Sequence, residues 1–318
     1  MSISFIPRPL RRALLCLSAF WFLSMPASAK VKVVATLPDL ASLARAVGGD
    51  LVTVDQLTQA NQDPHHVNAS PSMVVRLSQA DLFVMNGLDL EVGWVPALLQ
   101  ASRSQKVRPG GPGYVDASIK VPVIEAPSGP IDRSMGDVHP FGNPHYTLDA
   151  GRCKWAAWNI ANGLIRVDAA NAEQYITNLK NLYARIDAAL ARAREAMKPY
   201  RGSSVIIYHA RPNYLLDRLG LRVAATIEPL PGIPPSAAQI GRIISSQKSK
   251  GIRAVLIEPW NDRRVAEQVA AGLGEGTSVV VPKQAVGSDP AAVDAIALFE
   301  QNVALIVSAL KGSEGAAH

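Results

Sequence analysis

The chain has 318 residues, of which 48% are hydrophobic and 18% are charged. This composition supplies a full hydrophobic core, carries too little charge for a disordered protein, and at this length suggests two domains or one large one. Two cysteines exclude a disulfide scaffold and a cysteine-rich zinc module, and the formal net charge of +6 raises the question of nucleic-acid binding.

The first 29 residues have the pattern of a secretory signal peptide. Arg8, Arg11 and Arg12 precede an apolar run at residues 13–25, and a small-residue site ends at Ala29, where we expect cleavage. The run is shorter than the roughly 20 residues of a membrane span, which disfavours an anchor. Loss of the three arginines lowers the net charge to +3 and leaves no basic cluster interleaved with aromatic residues, which excludes nucleic acid as a partner. No later run of about 20 apolar residues follows, so we expect a periplasmic protein without membrane insertion.

Strands and helices alternate after this segment. The first half contains apolar runs typical of strands at residues 31–36, 51–54 and 81–85, and helical patterns at 40–47 and 72–79. Residues 108–143 are rich in glycine and proline and are predicted to be irregular.

A long amphipathic helix follows, since apolar residues recur at steps of three and four: Tyr175, Leu179, Leu182, Ile186, Leu190, Ala193 and Met197. The alternation then resumes, with strands predicted at 204–208, 222–227, 254–257 and 278–281 and helices at 213–219, 237–250, 263–273 and 290–311. We predict a signal peptide (1–29), an N-terminal α/β lobe (30–165), a linking helix (166–198) and a C-terminal α/β lobe (199–318). Such alternation predicts mainly parallel sheets flanked by helices.

Histidines are the residues with metal-binding chemistry. His318 is terminal, whereas His65, His66, His139, His145 and His209 fall in loops or at element ends, which raises the expectation of a metal site.

The placement of these residues sharpens that expectation. His209 follows the predicted strand at 204–208 and Glu258 follows the one at 254–257, so both lie at the carboxyl edge of a parallel sheet, where such sheets bind ligands. A proline precedes both His65 and His145 and restrains the backbone there. A site drawing on both halves would lie in the cleft between them.

Enzyme motifs of the zinc-protease, serine-hydrolase and phosphate-loop types are absent from the sequence. Glu228 begins a proline-rich segment, where a solvated or capping role is the favoured interpretation. Cys153 falls in an apolar helical pattern, where a small buried hydrophobe is favoured over a nucleophile.

The ordered motifs resemble the periplasmic zinc/manganese solute-binding proteins of ABC importers, the ZnuA/TroA-like family. The resemblance is carried by Gln62-Asp63-Pro64-His65-His66, Leu77 to Gly87, Trp94-Val95, Asn143-Pro144-His145-Tyr146, Tyr208-His209 with Tyr214, Glu228 to Ser236 and Leu298 to Val303. It implies two α/β lobes joined by a rigid helix, with one metal bound between them by His65, His145 and His209. His66 and His139 do not match ligand positions, and the long His/Asp/Glu-rich loop of many zinc receptors is absent.

The resemblance implies a non-enzymatic, monomeric receptor that captures Zn²⁺ and delivers it to an ABC transporter membrane permease. Manganese is the alternative within the class, although three histidines favour zinc. An exported zinc hydrolase is the alternative from another class, with Glu258 as its base; a surface adhesin would need an anchor.

The sequence alone leaves the identity of the fourth metal ligand open. Where many relatives have an aspartate, this chain has Ala285 or Val286. We predict Glu258 as the oxygen ligand, with a water, or else Asp289 or Asp262, as the alternatives. Asp289 precedes Pro290, at the predicted start of a helix, where capping is the simpler role.

Overall fold

The computed structural model describes residues 29–129 and 138–312, so the predicted signal peptide lies almost wholly outside the described residues. The described strands are Val31–Ala35 (β1), Val52–Gln56 (β2), Leu82–Met85 (β3), Tyr114–Asp116 (β4), Ser204–Ile207 (β5), Arg222–Thr226 (β6), Ala254–Leu256 (β7) and Ser278–Val280 (β8). The described α-helices are Pro38–Gly48 (α1), Pro71–Gln79 (α2), Val95–Ser102 (α3), Ala150–Val167 (α4), Ala172–Met197 (α5), Asn213–Leu219 (α6), Ala237–Gln247 (α7), Arg263–Leu273 (α8) and Ala295–Lys311 (α9).

The strands form two four-stranded sheets with the same topology. The first has the order β2-β1-β3-β4 and the second β6-β5-β7-β8, and every pairing is parallel. The two halves of the chain therefore repeat one strand order, although no repeat is visible in the sequence. The predicted parallel sheets flanked by helices are confirmed.

The central strands of each sheet are buried on both faces, which explains their nearly continuous apolar sequences. In β1, Val33 faces the large central cluster, whereas Val34 faces a second cluster under α2 and α3. In β5, Ile207 faces the central cluster and Ile206 a third cluster beside α7 and α8. The two sheets thus share one core, which fixes where their carboxyl edges lie.

The predicted long helix is α5, and its buried side chains belong to that shared core. Leu190 is only partly buried, and the neighbouring Ala189 takes the buried position. The helix joins the strands of the first sheet to those of the second along the chain, as predicted.

Three elements differ from the sequence prediction. Helix α3 had no predicted counterpart, and β4 lies inside the segment predicted to be irregular, directly after the glycines and proline of residues 110–113 and without an apolar run of its own. The last helix starts at Ala295 instead of residue 290, because Asp289 to Ala292 form a turn closed by a backbone hydrogen bond. Asp294 caps the helix by accepting hydrogen bonds from the backbone of Ile296 and Ala297.

Hydrogen bonds tie the two halves together. The buried Asp39 of α1 accepts one from the backbone of Val286 at 2.8 Å, and Ser42 accepts one from the backbone of Ala295 at 3.1 Å. Residues from Val31 onward form one compact unit, so the division into lobes at the predicted boundaries stays a prediction. Among the described residues, none of the helices combines the length and apolar character that a bilayer span needs.

Candidate metal centre

His65 is placed by a turn after β2. The Asp63 carboxylate accepts a hydrogen bond from the His65 backbone at 3.0 Å and lies 2.8 Å from Nδ1 of the ring, so one side chain fixes both. The buried Trp94 indole donates to the carbonyl of Pro64 at 3.0 Å. Because Asp63 takes Nδ1, the His65 ring is held with Nε2 as its other polar atom.

His145 is placed by a second turn of the same sequence pattern. The Asn143 side-chain oxygen accepts a hydrogen bond from the His145 backbone at 2.9 Å, and the buried Asn86 amide donates to the carbonyl of Pro144 at 2.9 Å. His145 itself is buried, and its Nε2 has no hydrogen-bond partner among the described residues. A buried polar nitrogen without a partner costs free energy of folding. The Nε2 of His145 is therefore a candidate atom for binding a ligand.

His209 lies just beyond β5, as predicted. Its Nδ1 is 2.9 Å from a carboxylate oxygen of Glu228, which follows β6, the neighbouring strand. Because Glu228 takes Nδ1, the other ring nitrogen, Nε2, is the one available to a metal.

The two turns and the end of β5 bring the three histidines together. One metal-binding nitrogen of each of His65, His145 and His209 lies within 4.8 Å of the others. The ring centroids are 5.0 Å apart for His65 and His145, 5.6 Å for His145 and His209, and 6.0 Å for His65 and His209. Three converging imidazoles are a donor set suited to a transition metal.

The protonation of the three rings differs with their surroundings. Desolvation lowers the pKa of His145 well below its ordinary value, and the charge of Arg211 lowers it further, so this ring is neutral near pH 7. Burial would also lower the pKa of His209, but the hydrogen bond to Glu228 and the charge of Glu258 outweigh burial and raise it. A proton therefore competes with metal at His209 up to a higher pH than at His145.

Glu258 is buried two residues beyond β7, and burial raises its pKa to about 7 against the opposing charges of His209 and Arg211. Its Oε2 has no hydrogen-bond partner among the described residues, and it is not a member of the mutually close group of ligand atoms. Arg211 is also buried and donates to the carbonyl of Gln284 at 3.1 Å. The Glu258 carboxyl and the Arg211 guanidinium are therefore two buried ionisable groups that act on His209.

The two aspartates considered as alternative ligands have other partners. Asp289 pairs with Lys283 at 2.9 Å, and because the helix starts at Ala295, the prediction that Asp289 caps it was wrong. Asp262 caps α8 by accepting a hydrogen bond from the backbone of Arg264 at 3.0 Å.

The two histidines without a predicted ligand role both lie near His65. His66 is exposed, and its ring centroid is 6.3 Å from that of His65. His139 is closer, since its Nε2 lies 3.1 Å from Nε2 of His65.

A family model described as "Zinc-uptake complex component A periplasmic" (ZnuA) matches residues 33–309, which span both sheets and all three clustered histidines. The chain belongs to the ZnuA family. This is a family of non-enzymatic solute-binding proteins that bind metals, which removes the hydrolase alternative.

Relatives within and around the ZnuA family carry names with different metals. The high-affinity zinc uptake system protein ZnuA of Bacillus subtilis is 24% identical over 254 residues, covering 79% of this chain and 78% of its own. The manganese ABC transporter substrate-binding lipoprotein PsaA of Streptococcus anginosus is 31% identical over 169 residues, or 52% of this chain and 51% of its own. The zinc-binding lipoprotein AdcA of Streptococcus pneumoniae is 24% identical over 282 residues, 87% of this chain, which spans about half (55%) of that relative's length.

The fold has counterparts among solved structures. A crystal structure of ZnuA superposes with a TM-score of 0.72 at 23% identity, covering 88% of this chain and 99% of that one. At this identity, the likeness supports the ZnuA-like fold.

Sequence reasoning missed two residues that orient histidines of the cluster. Glu228 is not solvated as predicted, because its side chain is only 11% exposed and lies against His209; it also accepts a hydrogen bond from the backbone of Gly232 at 3.3 Å. The sequence motif contains Asp63 but predicts no role for it, yet its carboxylate orients His65. For Asp63, an Asx residue two positions before a histidine is a local signal; for Glu228, the contact arises from the pairing of β5 with β6.

Proposed function

We propose that this chain is an extracytoplasmic receptor that captures Zn²⁺ and delivers it to an ABC-type membrane permease for import. The observation that carries the proposal is the convergence of His65, His145 and His209 to within 4.8 Å at the carboxyl edges of two parallel sheets. Membership of the ZnuA family supports the transport role. Signal-peptide cleavage after Ala29, a periplasmic location and a monomeric state belong to the same proposal.

Zinc is the proposed cargo because the clustered donors are nitrogens. Manganese prefers carboxylate and water oxygens, whereas imidazole suits zinc, copper, iron and nickel. The names of relatives include both zinc and manganese, so family membership alone leaves the metal open. The direct-ligand role predicted for Glu258 stays a prediction.

The residues around the histidines prepare them for metal. Asp63 and Glu228 each accept from a ring Nδ1, which fixes the tautomer and raises the basicity of the nitrogen that would bind zinc. Burial keeps His145 in the neutral form that a metal requires. Capture therefore needs little ordering of side chains.

The experiment has a binding and a transport arm. The mature chain, purified from metal-replete medium, is expected to carry one zinc per chain, with competition titrations of the metal-free form giving the affinity. Since divalent affinities generally favour zinc over manganese at any such site, affinity alone does not identify the cargo. Deletion of the gene is expected to impair growth in zinc-depleted medium, with rescue by zinc and not by manganese; rescue by manganese alone would overturn the choice of metal.

A further inference from the structure

We infer that His139 is a further zinc ligand of this chain and takes the fourth position beside His65, His145 and His209; this rests on the proposed function. The Nε2 atoms of His139 and His65 lie 3.1 Å apart. Zn–N bonds of about 2.0–2.1 Å in a tetrahedral site place ligand nitrogens about 3.3 Å apart. The two imidazoles therefore already have the spacing of two ligands on one ion.

The space next to the histidines is also lined by His139. A cavity of about 150 Å³ is bordered by His139, His145 and His209 together. The ring centroids of His139 and His145 are 6.4 Å apart and the rings are nearly perpendicular, at 88°. Thus His139 touches His65 on one side and shares a cavity with the other two ligand candidates on the other.

A built turn holds His139 at this position. The His139 carbonyl accepts a hydrogen bond from the backbone of Gly142 at 3.2 Å, and Gly142 has a φ of 99°. A Cβ at Gly142 would lie 2.4 Å from a methyl carbon of Val123, so a side chain there would push the turn away. The next residue, Asn143, is the one that positions His145. One short segment therefore delivers both His139 and His145.

Glu258 is the competing residue for the fourth position, and the contacts favour His139. Glu258 borders neither this cavity nor the neighbouring one of about 180 Å³ that contains His65 and His209. No hydrogen bond joins its carboxylate to a histidine among the described residues. Both Glu258 and His139 lie outside the group of atoms within 4.8 Å of one another, so either must move to bind. His139 already lies within 3.1 Å of one ligand candidate, whereas among the described residues Glu258 has a hydrogen bond to none of the three.

The role of His139 gives the site four neutral imidazoles. A four-nitrogen site suits zinc and disfavours manganese more strongly than three nitrogens with a carboxylate. Glu258 then stays outside the ligand sphere and acts on the ion through the same electrostatic interaction that it has with His209.

The test compares His139→Ala with His66→Ala, a matched control because both remove an imidazole close to His65. Zinc-loaded parent and variants are measured by X-ray absorption, which counts imidazole ligands, and by competition titration. We expect four imidazoles in the parent and in His66→Ala, three in His139→Ala, and at least about tenfold weaker zinc binding for His139→Ala at an unchanged stoichiometry of one. Thermal unfolding of the metal-free forms checks that each variant folds, and His139→Gln provides a second substitution if His139→Ala does not.

The outcomes separate this inference from the proposed function. Parent protein that binds no zinc would overturn both. Three imidazoles in the parent, with His139→Ala binding zinc like the parent, would overturn the role of His139 and leave the three-histidine site intact. If Glu258→Gln instead removes an oxygen ligand from the zinc spectrum, the fourth position belongs to the carboxylate and the inference is wrong.

Discussion

Residues 63–65 and 143–145 fold into the same turn, and each turn places one histidine, yet the two surround it differently. In both, an Asx side chain accepts a hydrogen bond from the histidine backbone, at 3.0 Å for Asp63 and 2.9 Å for Asn143. Asp63 also contacts the ring of His65 and keeps 27% of its side chain exposed. Asn143 is buried, and among the described residues the ring that it positions has no hydrogen-bond partner at Nε2.

Burial decides which of the two residue types each turn can use. The Asn143 amide donates to the Glu125 carboxylate and to the carbonyl of Ala210, both at 2.8 Å. A carboxylate at that position would face two acceptors without water. Partial burial alone would raise the pKa of Asp63, but its hydrogen bonds and charge interaction with His65 lower the pKa to about 2. The turn with Asp63 therefore positions His65 and places a charge beside its ring, whereas the turn with Asn143 only positions His145.

The largest effect is expected from removal of the rings that these turns place. His65→Ala and His145→Ala each delete one of three proposed ligands, so zinc binding is expected to weaken more than about 100-fold, or roughly 2.7 kcal/mol. Competition titration measures the change, and circular dichroism of the metal-free variants controls for folding. Parent-like affinity in either variant would remove that histidine from the site.

Asn143→Asp is expected to destabilise the buried turn. It replaces two hydrogen-bond donations by a buried carboxylate facing Glu125 and the carbonyl of Ala210, and we expect a loss of about 1–3 kcal/mol in the free energy of unfolding. Urea unfolding of the metal-free protein measures it. Unchanged stability would mean that the amide donations at Asn143 contribute little.

Asp63→Asn makes the reciprocal change in the exposed turn. An asparagine oxygen can still accept from the His65 backbone, so the fold is expected to be preserved. The carboxylate charge at Nδ1 of His65 is lost, and zinc affinity is expected to fall about tenfold. Titration together with urea unfolding distinguishes the two effects; a large loss of stability with parent-like affinity would reverse the roles given to the two turns.

Much of the fold was predictable because the signals are local. The strand pattern around residues 204–208 placed His209 at a sheet edge, and the pattern at 254–257 did the same for Glu258. The seven apolar positions of α5 followed its helical period, apart from the exchange of Leu190 for Ala189. The strand β4 was missed because it follows the glycines and proline of residues 110–113 and lacks a run of apolar residues, and the start of α9 was missed because the turn before it carries no period.

The site was predictable at its histidines and not at the groups around them. Motif resemblance supplied His65, His145 and His209, and the structure brings those three together. The contact of Glu228 with His209 depends on which strands pair, and the contact of His139 with His65 joins residues far apart in sequence. Spacing along the chain cannot report such contacts, since they arise from tertiary packing.

The smallest expected effect is the pH dependence of zinc affinity. It follows from the different pKa shifts of His209 and the buried His145. The lowered pKa of His145 confines the competition between proton and zinc to lower pH, whereas the raised pKa of His209 extends that competition to higher pH. Zinc affinity is therefore expected to be full above the His209 pKa and, from this ring alone, to fall about tenfold per pH unit below it.

The stability of the metal-free protein responds to pH with the opposite sign. The contribution of the raised His209 pKa to the free energy of unfolding is fully present below the unfolded value of about 6.5 and is lost as pH rises through the folded pKa. Glu228→Gln removes the charge that raises this pKa, so the pH at which affinity begins to fall is expected to move lower, as titrations between about pH 5 and 8 would measure. The same pH profile in Glu228→Gln and the parent would show that another group provides the displaced proton.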